Sequence, residues 1–122
     1  MVKYLQIHYD STRIPLTPGW RYDVLHSDEF NGTEINRTKW IVKDRSWHKQ
    51  NKHVGFLDSN DNVKVSGGKL YLSVTENTDN LDFTCSWCGD NNTPLTIIPE
   101  LISGWVTFST PLRYGYIETK YD

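Results

Sequence analysis

The sequence predicts an all-β fold. Three observations carry this. No segment joins helical periodicity to capping residues, short runs alternate apolar and polar residues, and Gly-, Pro- and Asn-rich stretches separate those runs. Short strands joined by turn-rich loops, without helices between them, describe a β-sandwich or barrel. A chain of 122 residues suits one domain. Its 13% aromatic content, with five Trp and seven Tyr, adds strand preference and large contact areas.

In chain order, "VKYLQIHY" (residues 2–9) alternates loosely until Pro15, Pro18 and Gly19 break the pattern. Residues 1–19 read as a leader or linker, ahead of a domain over residues 20–122. The clearest unit is "NVKVSGGKLYLSV". Val63 and Val65 share one face, Ser66-Gly67-Gly68-Lys69 turns, and Leu70, Leu72 and Val74 resume the alternation. This is a hairpin signal, with Gly where positive φ is required. The polar "TENTDNLDFTCSWCGDNNTP" that follows reads as a long loop. "LISGWVTFS" and "LRYGYIETKY" then read as two further strands.

Bulk properties exclude several functions. The net charge is −2, and no Lys/Arg cluster forms a basic stripe, which argues against nucleic acid. No apolar run is long enough to span a bilayer, and "MVKYLQIHYD" lacks a signal-peptide core. The triplets at Asn31, Asn36 and Asn91 match the glycosylation pattern and imply exposure only.

Side chains at alternate positions of a strand share a face. Tyr114, Tyr116, Glu118 and Lys120 therefore lie together. Trp105, Thr107 and Ser109 share one side of the preceding strand, with Gly104, Val106 and Phe108 turned to the core. Pairing these two strands would gather Trp105, Tyr114, Tyr116, Glu118 and Lys120 on one polar-aromatic surface. Sugars bind such surfaces, with rings against C–H faces and charged groups on hydroxyls. An ordinary solvated sheet face, braced by cross-strand aromatics, explains the same pattern.

Other candidates are weaker. Asp28 and Glu29 are adjacent, so in a strand they face opposite ways. A retaining glycosidase needs two carboxyls about 5–5.5 Å apart on one side. A structural role or a metal contact suits them better. "DSNDN" (residues 58–62) fails as a calcium loop, because Val63 and Lys69 stand where Gly and Glu are required. "CSWC" is not followed by a helix, so a thioredoxin-type role is disfavoured. A local disulfide or thiol pair at Cys85 and Cys88 is preferred over a zinc half-site completed by His48 and His53.

Three segments in order, "HSDEFNGTEINRTKW", "NVKVSGGKLYLSV" and "ISGWVTFSTPLRYGYIETKYD", resemble glycoside hydrolase family 16, the laminarinase, lichenase, agarase and carrageenase group. The resemblance implies a concanavalin A-like jelly-roll sandwich of antiparallel sheets, here the N-terminal half, with a glycan groove on its concave face. It implies a secreted, extracellular or periplasmic parent acting on β-linked glucans or galactans with retention. It assigns Glu118 and Lys120 to substrate contact. Trp105 stands where many laminarinases carry Arg. A structural calcium is implied, with the Glu29 side chain and the Gly68 carbonyl as ligands. The family's catalytic E-x-D-x-x-E follows the strand matched by "YGYIETKYD". The expectation is therefore a chain inactive by itself, with uncovered sheet edges that favour self-association. The alternative is a non-catalytic carbohydrate-binding module.

Overall fold

The computed structural model describes residues 23–112, together with the backbone of Tyr4–Leu5 and Thr119–Lys120. The described chain is all-β apart from one 3-10 turn at Asp90–Asn92. Two compact units divide it. The first holds described residues 23–41, 65–71 and 108–112 and the ladder of β1 (Tyr4–Leu5) with β12 (Thr119–Lys120). The second holds residues 42–64 and 72–107.

In the first unit, aromatic stacking supplies the core. Trp40 lies between Phe30, at 5.9 Å, and Phe108, at 4.6 Å between ring centroids. Asp28 fixes this stack through both carboxylate oxygens. One accepts the Trp40 indole N–H at 2.8 Å and the other the Phe30 amide at 2.8 Å. These two bonds give Asp28 a structural role, one of the two roles that the sequence suggested for it beside a metal contact. β2 (Trp40–Val42) pairs with β11 (Val106–Phe108). Within the first unit this ribbon is closed by Ser109 N–H donating to Lys39 O, and within the second by Lys43 N–H donating to Trp105 O.

β5 (Val63–Ser66) and β6 (Lys69–Leu72) form the expected hairpin. Gly67 and Gly68 have φ of +58° and +75°, the left-handed pair that a two-residue turn needs to match strand twist. Val63, Val65 and Leu70 are buried, as the alternation requires. The alternation does not continue to Val74, however. β7 (Val74–Glu76) leaves the hairpin and becomes the edge of another sheet, leaving Val74 exposed.

That sheet, in the second unit, runs β3 (Ser46–His48), β4 (Asn51–Phe56), β10 (Leu101–Ser103), β7. β10 pairs antiparallel with β7 but parallel with β4, so the sheet is mixed rather than purely antiparallel. A parallel pair needs a long crossover, and the stretch between β4 and β10 supplies it. The segment expected to be one long loop contains β8 (Phe83–Cys85), paired antiparallel with β9 (Leu95–Ile97). Phe83 is fully buried and joins Trp47, Cys85, Cys88 and Ile102 in the core of this unit. Burial of one such aromatic contributes about 1.5–3 kcal/mol.

Buried amides knit the loops to this core. Asn62 Nδ2 lies within 3.0–3.2 Å of Ser73 O, Thr75 Oγ1 and Ile102 O, and Asn62 Oδ1 accepts from Ser59 Oγ. "DSNDN" is thus a polar turn, as expected. Gly104 is required beside it, because a Cβ there would run into the Asn62 carbonyl. Asn77 plays the same part for the next turn, donating to Leu81 O and Pro99 O.

Candidate functional site

The second unit carries a cleft of about 240 Å³ lined by aromatic side chains. Four chain segments supply its walls. Lys43, Ser46, Trp47 and His48 come from the approach to β3 and from β3 itself, and Phe56 ends β4. Thr84, Cys85, Ser86 and Trp87 come from β8 and the turn after it, and Trp105 precedes β11.

Each aromatic is held differently. Trp47 is buried, and its indole N–H donates to Leu95 O at 3.0 Å, which satisfies the polar atom that burial would otherwise strand. Phe56 meets Trp105 edge to face at 4.7 Å. Lys43 Nζ sits 5.6 Å from the Trp105 ring centroid, a cation–π placement. Trp87 is 44% exposed and meets the His48 ring edge to face at 5.6 Å. His48 Nδ1 accepts the Gln50 amide at 3.3 Å. The neutral ring therefore carries its proton on Nε2, which is left as a donor.

Cys85 and Cys88 are disulfide-bonded, with Cα atoms 5.5 Å apart, and both are buried. The sequence preference for a local pair over zinc is met, although the pair lies in the core rather than in a surface loop. Trp87 rides on the four-residue loop that this bond closes. Arg45 anchors the opposite wall. It is paired with Asp82 at 2.6 Å, packs 5.6 Å over Phe83, and its carbonyl accepts the Thr84 amide.

Of the five residues expected to bind substrate, Trp105 is placed in the cleft. Tyr114, Tyr116 and Glu118 lie outside the described residues. Lys120 is described only by its backbone, which pairs with Tyr4. Among the described residues the partner of β11 is β2. Sequence reading did not select Trp87, Phe56, His48 or Lys43 for a sugar site.

For calcium, Glu29 is half-buried in the first unit, and Gly68 stands in the tight turn of the hairpin. A calcium ion takes six to eight oxygen ligands. These two residues would supply only part of that shell. Among the described residues no three His, Cys, Asp or Glu side chains gather as a metal-holding group.

Apart from the cleft, one ionisable pair stands out in the first unit. Buried His26 binds Asp23 Oδ2 through Nδ1 at 2.6 Å and Thr110 O through Nε2 at 2.8 Å. Burial opposes the charged imidazole, but the bonds to Asp23 and to the Thr110 carbonyl outweigh it and raise its pKa above the ordinary 6.5. Burial likewise works against the Asp23 carboxylate, yet the bonds from His26 prevail and lower its pKa below 3.8.

No family model matches the chain, nor does any curated protein or solved structure.

Proposed function

We propose that the chain binds polysaccharide through the aromatic cleft of its second unit. The observation that carries this is Trp105. Chosen from sequence as a sugar-contact residue, it lines one cleft with an exposed Trp87 and with Phe56, Trp47, His48 and Lys43. Flat rings at the wall of a shallow cleft, interleaved with hydroxyls and nitrogen donors, suit a pyranose. Its C–H face covers a ring while its rim oxygens take hydrogen bonds.

The ordered resemblance to glycoside hydrolase family 16 supports a wider reading. In it the chain is the N-terminal portion of a secreted enzyme that degrades β-linked glucans or galactans, built as a β-sandwich. The disulfide agrees with an extracellular or periplasmic location, since such bonds persist in oxidising compartments. A non-catalytic binding module is the second reading. It is favoured by one observation, that among the described residues no carboxylate lines the cleft, whereas glycoside hydrolysis calls for two.

Affinity electrophoresis in gels containing soluble β-glucans or galactans tests the binding. Retardation of the wild type is expected, with Trp87→Ala and Trp105→Ala each weakening it about tenfold, as for a buried aromatic anchor. Variants retarded as strongly as the wild type would sink the proposal. A reading frame that continues past residue 122 into an E-x-D-x-x-E motif would favour the hydrolase reading over the module.

A further inference from the structure

We propose that this cleft selects glycans bearing an anionic substituent, a uronate carboxylate or a sulfate ester, and that Lys43 is the residue that reads the charge. The inference rests on the glycan-binding reading of the same cleft.

The charge of the lining is one-sided. Among the described residues Lys43 is the one Lys, Arg, Asp or Glu side chain in it, within a chain whose net charge is −2. Among the described residues, Lys43 has no carboxylate partner. The nearby cation Arg45 is committed to Asp82 at 2.6 Å. Instead, the Lys43 ammonium is held 5.6 Å from the centre of the Trp105 ring, which positions the charge without neutralising it. His48 adds a second donor in Nε2, because its Nδ1 is occupied by the Gln50 amide.

A neutral sugar gains the ring contacts but little from the ammonium charge. Its hydroxyls are bound best where carboxylate or amide acceptors alternate with donors, and among the described residues the lining offers no such acceptor side chain. An anionic substituent gains a charge-assisted bond, which is shorter and about twice as strong as a neutral one. An ordered aromatic wall excludes part of the water that would screen the pair. Trp87 and Trp105 would then hold the ring while Lys43 and His48 select its charge.

Isothermal titration with three oligosaccharides of equal length tests this: an oligogalacturonate, a sulfated galactan and a neutral β-glucan. The expected result is at least tenfold tighter binding of one or both anionic ligands, weakened by added salt. Whichever of the two binds more tightly identifies the substituent. Lys43→Gln should weaken the anionic ligand about tenfold more than the neutral one and so remove the preference, while Lys43→Arg should retain it. The Lys43 side chain is exposed and its backbone bond to Trp105 does not depend on it, so these variants keep the fold. Equal binding of all three ligands by the wild type, still sensitive to Trp87→Ala, would overturn the charge selection and leave glycan binding intact. An unchanged anionic affinity in Lys43→Gln would do the same. Binding of none of the three would remove both readings.

Discussion

His26 and Asp23 make the first unit's stability depend on pH, and the sign follows from their shifts. The imidazole pKa is raised, so its contribution is complete below about 6.5 and is lost as pH rises through the folded value. The carboxylate pKa is lowered, so its contribution is complete above about 3.8 and is lost as pH falls through the folded value. The pair therefore stabilises most in the mildly acidic range between those limits. Thermal unfolding of wild type and His26→Gln across pH checks this. The gap in midpoint should be widest near about pH 5 and narrow towards alkaline pH. A gap that widened with rising pH would contradict the ion pair.

At the scale of elements, the decisive piece is the loop closed by Cys85 and Cys88. Both sulfurs belong to the packed core, so the bond ties exposed Trp87 to the buried cluster of its unit. So small a loop limits the entropic benefit of the crosslink to about 2 kcal/mol. Cys85→Ala/Cys88→Ala should lower stability by about that amount, read by urea unfolding. It should also weaken glycan retardation, because Trp87 loses its anchorage. Unchanged retardation in a folded double variant would show that the loop holds its shape without the bond. The hairpin was legible at this scale because Gly67-Gly68 admits few backbone solutions and Val63, Val65 and Leu70 alternate cleanly. β8 was hidden. It spans only three residues, its flanks are rich in Asn and Asp, and the burial of Phe83 is decided by distant partners rather than by its neighbours in sequence. The parallel ladder of β4 with β10 leaves no mark in sequence either, since periodicity fixes a strand's faces and not its partner.

For the whole molecule, the all-β class was readable from alternation and turn chemistry, while the site was readable only in part. Trp105 stood out as an aromatic on the polar side of a strand. Lys43, His48 and Trp87 belong to segments with no common pattern, and only folding brings them together. The resemblance also motivates a calcium site, for which Glu29 and Gly68 are the proposed ligands. Melting in calcium and in chelator measures it directly. A ligand that binds only the folded chain raises the midpoint by mass action, so a rise of several degrees in calcium is expected. An unchanged midpoint would withdraw both residues as ligands.

The walls of the cleft come from residues 43, 46–48, 56, 84–87 and 105, which adjoin only after chain far apart in sequence has closed upon itself. No short peptide can carry this site. Loop closure of that span is entropically costly and is offset only when the whole unit assembles. The proposed glycan affinity would therefore be a measure of intact tertiary structure. Any partially ordered form that keeps its hairpins but loses the β4/β10 crossover should be unable to compete for ligand.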